Sequence, residues 1–336
     1  MKIQNTMKPN IIIITTVLAV AWVCLTTACS DDKEYTLPSG IDELSNDCLK
    51  NSIGVNMVGQ TIDFSYAMAL PRTGGHLVEA VVEASVAGAV GTMLDNQSYH
   101  TNAGYDEGVV VGSPCENVGN RTRVVFTRDT CASTLRYSYV VPESLRGKQV
   151  SFVFSATDSN QKTVSMKMGP YAISNMDMAL DIKLKNKDCF SIGEMRVLTT
   201  AEATANPEKV DFVYSYQIKR GVTFNHAFIS PTTSNLSNYM EGITLPVGLS
   251  NSTKMVKTFG TLDQQLARNE NAVFVDDIDL YDKAFDNSQD FLINIGEKGG
   301  AWLQTADGRY RAYLYINTAP ANKAGMTVSI KRLKMY

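Results

Sequence analysis

Two β-sandwiches in series are what this 336-residue chain predicts. The expected fold is mainly all-β: an immunoglobulin-like β-sandwich followed by a second, larger β-sandwich or jelly-roll-like domain with short helices. Three observations predict it. From Gln60 onward apolar residues recur at every second position, the mark of half-buried strands. Clusters of glycine, asparagine, aspartate and serine punctuate those runs at strand-like spacing. The length remaining after residue 28 suits about two domains at about 150 residues each.

The elements follow in chain order. From Tyr35 to Asp47 the chain is polar, with Pro38, Gly40 and several acids but no apolar period, and residues 29–47 read as a tether. Strands are expected over 60–70, 76–88 and 121–127, with the glycine-rich stretch 88–120 left without a clear pattern. Leu135, Tyr137, Tyr139 and Val141 alternate with Arg136, Ser138 and Val140, and Val150, Phe152, Phe154 and Ala156 alternate with Ser151, Val153 and Ser155. A turn over 158–161 joins the latter to Val164, Met166 and Met168 as a hairpin. Six or seven such strands favour an immunoglobulin-like sandwich over residues 48–175.

The second domain, 176–336, opens with Met178, Leu180, Ile182 and Leu184 and continues with Phe212, Tyr214, Tyr216 and Ile218 on one face. Further strands are expected at 271–275, 290–296, 309–317 and 326–333. Two short helices interrupt it, at 201–205, stopped by Pro207, and at 262–268, where Thr261 offers a cap. No internal repeat of fixed period is present.

The first thirty residues carry an address. Lys2 and Lys8 precede an apolar run over 11–23 that ends in Leu25-Thr26-Thr27-Ala28-Cys29, which reads as an export signal over residues 1–28. The rival reading is an uncleaved membrane anchor, for which about 18 apolar residues is the short end. Cys29 directly after Ala28 resembles the lipobox of bacterial lipoproteins, although Thr26 and Thr27 depart from the commonest form, Leu and then Ala or Ser. Ser30-Asp31-Asp32-Lys33-Glu34 looks like the acidic tag by which Bacteroidetes lipoproteins reach the outer face of the outer membrane. The resemblance implies lipidation at Cys29, the outer membrane as a partner through that lipid anchor, and a location facing the cell exterior. Two acyl signals on one cysteine would make that anchoring stable.

A second resemblance lies further on. The run Tyr137-Ser138-Tyr139-Val140-Val141-Pro142-Glu143, then Gly147-Lys148, then the residues from Ser151 to Asp158, resembles the last hairpin of immunoglobulin-like domains in Bacteroidetes surface lipoproteins. In layout the chain is similar to a family of two-domain lipoproteins of unassigned function, and more loosely to the accessory glycan-binding lipoproteins of starch-utilisation-type systems. These likenesses imply fold and location and point to no binding residue.

Composition narrows the chemistry. Without Lys2 and Lys8 of the leader, 29 basic residues face 34 acidic ones, a formal net charge near −5, so no basic stripe for nucleic acid is expected. Past the leader and Cys29 stand Cys48, Cys115, Cys131 and Cys189. Their three pairings stay open, with Cys115 and Cys131, which flank one strand-like segment, the first disulfide candidate; no two have zinc-knuckle spacing, and no metal is expected. His76, His100 and His226 sit in no nucleophile or base motif. The cluster Asp276-Asp277-Ile278-Asp279 with Asp282 and Asp286 lacks the glycine and glutamate of an EF-hand and reads as a solvated strand edge or loop. Gly296-Glu297-Lys298-Gly299-Gly300 lacks Walker spacing and reads as a turn. No cofactor is implied.

Aromatic residues supply the functional colour. Trp302, Tyr310, Tyr313 and Tyr315 lie close in sequence, and flat rings stack on the apolar faces of sugars. The competing reading is core, since Tyr313 and Tyr315 alternate with Leu314 and Ile316 and both faces of that strand are apolar. The expectation is a non-catalytic binding module with a glycan ligand. The alternative is an adhesion or structural protein that binds a protein partner, such as another outer-membrane protein. A glycan-active enzyme ranks third, to be revived by two facing carboxylates in a cleft with one pKa raised.

Overall fold

Two-residue alternation builds the first half of the protein. The structure, a computed structural model, describes residues 43–219, 222–234, 236–240, 244–269 and 272–336. The leader 1–28, Cys29 and the tether as far as residue 42 lie outside the described residues. Strands β1 (Ser45–Lys50), β2 (Thr61–Ala69), β3 (Leu77–Ala84), β4 (Met93–Leu94), β5 (Gln97–Asn102), β6 (Tyr105–Val110), β7 (Glu116–Val118), β8 (Arg121–Val125), β9 (Ala132–Val140), β10 (Gln149–Asp158) and β11 (Thr163–Ala172) follow in order. In β2, β9 and β10 every second residue is buried, because successive side chains of a strand point to opposite faces.

Two antiparallel sheets, β1-β2-β9-β4 and β11-β10-β3-β8-β7, bring those apolar faces together as an immunoglobulin-like sandwich. Phe64 meets Phe152 with ring centroids 5.0 Å apart, and Tyr139 meets Phe152 at 4.9 Å, both in the edge-to-face geometry that ring quadrupoles favour. The expected hairpin is β10–β11, and its turn is held by Asp158 Oδ1, which accepts from Asn160 N and Lys162 N at 2.9 Å each. The unpatterned stretch 88–120 contains β4 to β7, of which β5 and β6 form a separate two-stranded ribbon. The segment read as a tether gives up its end to the fold: Leu44 is buried, Ser45–Asp47 pair with β2, and Asn46 Nδ2 donates to Tyr66 Oη at 3.0 Å.

The second half contributes β12 (Asp177–Leu184), β13 (Cys189–Ser191), β14 (Arg196–Leu198), α1 (Thr200–Ala205), β15 (Phe212–Lys219), β16 (Val222–Ile229), α2 (Leu236–Tyr239), β17 (Lys254–Phe259), α3 (Gln264–Ala267), α4 (Asp277–Asp282), β18 (Phe291–Ile295), β19 (Gly299–Gln304), β20 (Tyr310–Thr318) and β21 (Met326–Lys334). Sheets β12-β21-β20-β19-β17 and β14-β13-β15-β16-β18 enclose a core of Phe190, Phe212, Phe228, Leu303, Leu314 and Ile316.

Between β17 and β18 the chain leaves the sheets, and three local readings change there. The strand expected at 271–275 is absent among the described residues of that stretch; Val273 makes only an isolated bridge to Asp263. The cap of α3 is Asp263 rather than Thr261, whose carbonyl instead accepts from Tyr313 Oη. The aspartate cluster is helix α4 rather than a strand edge or loop. Asp276 Oδ1 accepts from Ile278 N and Asp279 N at 2.9 and 3.1 Å, and Asp279 Oδ2 accepts from Asp276 N at 3.1 Å. Carboxylates gathered at a helix start satisfy its free N–H groups and its positive dipole end.

This excursion lies on the outer face of β19, β20 and β21 and closes a third apolar cluster. Leu266, Val275 and Leu280 cover Trp302, Tyr313 and Tyr315, and Met57 of the first sandwich joins them. Polar bonds fasten the same seam: Gln265 Nε2 donates to Val55 O at 3.0 Å, and Asn175 N donates to Asp277 Oδ2 at 3.1 Å.

Beneath α3 lies an ion pair with both side chains fully buried, Lys331 Nζ to Asp263 Oδ2 at 2.6 Å. Asp263 also accepts from Leu266 N at 2.9 Å and Val275 N at 2.6 Å, while Lys331 donates to Val275 O at 2.8 Å. Burial lowers the Lys331 pKa, opposed by the Asp263 carboxylate and, more weakly, Asp276 and Asp279. Removing one partner strands a charge in the core, so Lys331→Met is expected to destabilise the protein by about 3–5 kcal/mol. The double variant Asp263→Asn/Lys331→Met should recover much of that loss, with urea unfolding midpoints as the measurement.

Candidate functional site

A cleft of about 500 Å³ opens in the second sandwich. One wall comes from the turn after β13, the 3-10 turn Pro207–Lys209 and the residue before β15; the other is the tight turn between β19 and β20. Asp211 sits at its base in an apolar run, Val210-Asp211-Phe212-Val213, because its backbone is held to β13 through Phe190 O at 2.9 Å. Its side chain turns to the chain beyond β13, where the carboxylate accepts from Ile192 N at 2.6 Å with Gly193 N–H beside it. Asp211 is only 4% exposed. That burial pushes its carboxyl up to about 7, against the pull of the two N–H groups and with a small push from Asp307.

Asp307 occupies the opposing turn. Its Oδ1 accepts from Thr305 Oγ1 at 2.6 Å and Arg309 N at 2.9 Å, which holds the turn to Gly308 and Arg309. Burial raises its pKa, but those two donors and the Arg309 charge outweigh it and leave the carboxyl below its ordinary value. Glu194 is likewise held down, by Lys209 at 2.9 Å first and by Arg196 at 2.5 Å, despite some desolvation.

Tyr310 opens β20 and lines the cleft, half-buried. The Arg332 guanidinium lies over its ring, 4.7 Å from the centroid, and donates to Gly193 O and Asp177. Gly193 is small for a reason: a Cβ there would stand 3.3 Å from the Tyr310 ring.

The four aromatic residues singled out as ligand-binding part company here. Tyr310 reaches the cleft. Trp302 (9% exposed), Tyr313 and Tyr315 do not, being packed under the α3–α4 excursion, so they form core rather than a sugar platform. The Lys283 ammonium further covers the Trp302 ring at 5.2 Å. The disulfide expected between Cys115 and Cys131 is also absent, and all four cysteines among the described residues are free thiols. The β7–β8 hairpin, pairing Glu116 with Arg123, returns Cys115 to the level of Val124, and the chain then runs through residues 125–130 before Cys131, which precedes β9 of the other sheet. Of the histidines, His76 and His100 pair loosely with Asp129 and Glu107 at 3.8 and 3.7 Å. His226 is buried between Tyr214 Oη at 2.7 Å and Pro320 O at 2.9 Å, a structural role that keeps it neutral because burial lowers its pKa.

Asp211 escaped the sequence reading because no motif surrounds it. The available signal was a lone carboxylate inside an apolar strand run, which demands a partner or a function.

The raised pKa makes a signed expectation. The native state holds the Asp211 proton more tightly than the unfolded chain, so this stabilisation is complete below about pH 4 and is lost as pH rises through about 7. Asp211→Asn, which keeps the acceptor for Ile192 N, should flatten that slope and be more stable than the parent at pH 8, by up to roughly 4 kcal/mol. Urea unfolding of both proteins at pH 5 and pH 8 measures it.

Comparison with known proteins follows the two halves. A domain of unknown function, DUF4466, matches residues 41–173, and a second, DUF8576, matches residues 174–335. No curated protein matches. Among solved structures the chain is similar to a DUF4466 family protein from Parabacteroides merdae, at 42% identity and a TM-score of 0.80, covering 88% of this chain and 100% of that one. It also aligns with BcpA, the major pilin subunit of Bacillus cereus, at 9% identity and a TM-score of 0.29, covering 85% of this chain and 66% of that one. The C-terminal fragment of the major pilin GBS80 of Streptococcus agalactiae aligns at 9% and 0.29, covering 85% and 91%. Likeness as slight as these last two carries no argument. The expected kinship with a two-domain Bacteroidetes family of unassigned function holds at that level: the protein belongs to the DUF4466 family.

Proposed function

We propose that the Asp211 cleft binds a glycan and that the protein is a non-catalytic binding module held at the outer face of the outer membrane through Cys29. The observation that supports it is the pairing of one presented ring, Tyr310, with planar polar groups around a concave space. A sugar offers an apolar face for stacking and hydroxyls for planar acceptors and donors, which Asp307, Asn251 and Arg309 supply. The glycan reading therefore moves from the Trp302 face to Tyr310. The surface location rests on the leader and Cys29.

A glycan-active enzyme is the second reading, favoured by Asp211 and Asp307 lining one cleft with pKa values pushed apart. Against it stands the burial of Asp211 and its bond to Ile192 N, which turn the carboxyl towards the protein rather than a substrate oxygen.

A glycan-array screen tests the binding. Retention that Tyr310→Ala abolishes and Tyr310→Phe keeps is the expected result; retention indifferent to Tyr310→Ala would remove the cleft from the reading. A blank array on folded protein would sink the sugars tested and favour a protein partner, for which the exposed Tyr105, Val109 and Val110 of the β5–β6 ribbon provide apolar contact. Release of new reducing ends from a bound glycan, lost in Asp211→Asn, would establish the enzyme instead. For the anchor, Cys29→Ser is expected to abolish incorporation of labelled palmitate and to shift the protein out of the membrane fraction.

A further inference from the structure

Charge within the cleft is unevenly partnered. Lys209 is bonded to Glu194 at 2.9 Å, and Arg309 stands 3.7 Å from Asp307. Just behind them Arg196 is held between Glu194 and Glu202, and Arg332 by Asp177. Among the described residues, each of these cations thus already has a carboxylate. The reverse is not true: among the described residues the exposed Glu208 carboxylate, on the cleft rim, has no partner. Asn251 fixes the backbone that carries it, donating to Glu208 O at 2.6 Å and Val210 O at 2.9 Å.

An arriving ligand meets a site whose free electrostatic capacity is negative. A uronic acid, sialic acid or sulfated sugar would find each of these cations already neutralised by a carboxylate and would face Glu208 and Asp307 as like charges, which act against binding. A neutral sugar brings hydroxyl donors to carboxylate acceptors at no such cost. A sugar with a free amine brings a cation to the unpaired carboxylate.

Resting on the saccharide reading above, we infer that the cleft selects uncharged and amino sugars and excludes acidic ones, with Glu208 as the residue that sets this preference. Glu208 is exposed on a short turn, so replacing it leaves the fold intact. The test titrates the full-length, detergent-solubilised protein and its Glu208→Gln and Glu208→Lys variants with three oligosaccharide sets that differ only in charge: neutral, free-amine and carboxylated. The expected order for the parent is amine tighter than neutral, with the carboxylated set weakest. Glu208→Gln should weaken the amine set about two- to fivefold more than the neutral set, the size of one exposed ion pair. Glu208→Lys should reverse the order between amine and carboxylated sets. Tight binding of the carboxylated set by the parent, or an amine preference that survives Glu208→Gln, would overturn the charge selection while leaving glycan binding in place. Binding of none of the three sets would overturn both.

Discussion

The buried pair of Asp263 and Lys331 is the contact on which the placement of the segment between β17 and β18, and with it the junction of the two sandwiches, depends. The chain between β17 and β18 has no sheet partner of its own among the described residues beyond isolated bridges, so its position rests on side chains. Asp263 gathers three bonds at once, capping α3 through Leu266 N, fixing Val275 N, and neutralising Lys331 of the interior strand β21. A buried ion pair of this kind adds little net stability over apolar packing, yet losing either partner costs much. Its effect here is positional: it sets α3 and the chain beyond it against the sheet, and those elements then bury Trp302 and Tyr313 and meet Met57 of the first sandwich.

From that junction a line of charge-assisted contacts runs to the cleft. Arg146, in the loop between β9 and β10, donates to Asp177 Oδ1 at 2.8 Å; Asp177 accepts from Arg332; and Arg332 lies over Tyr310. Each group is oriented by the next, so the presented ring is fixed from behind by residues of both halves. Asp211 is fixed from the other sheet. The cleft is therefore lined by turns that side-chain and backbone bonds anchor to two sheets, an arrangement suited to recognition with little ordering cost.

Much of the architecture was legible in the chain because it is local. Alternation in 135–141 and 150–156 states that one face is buried, whatever lies opposite, and the Asp158 turn closes its own hairpin. The helix expected at 201–205, ahead of Pro207, is present at 200–205, and the structure adds a reciprocal cap between Thr199 and Glu202 within one turn of chain. Errors fell where a local signal had two readings. Aspartates at 276–282 suit a solvated edge and a helix start alike, and only the bonds of Asp276 decide for the helix.

By itself the sequence determined an all-β protein with two sandwich-forming halves, since the period of apolar residues is a property of neighbours along the chain. Which aromatic ring is presented and which is core was decided by tertiary structure alone. Trp302 and Tyr310 are both aromatic and lie on adjoining strands, but one is roofed by a segment from elsewhere in the chain and the other stands next to a turn, with its ring against Gly193. The cleft belongs to the same category: Asp211, Glu208, Asp307 and Tyr310 share no motif or spacing, and they meet because strands of two sheets end at one mouth, a consequence of long-range pairing that no local pattern encodes.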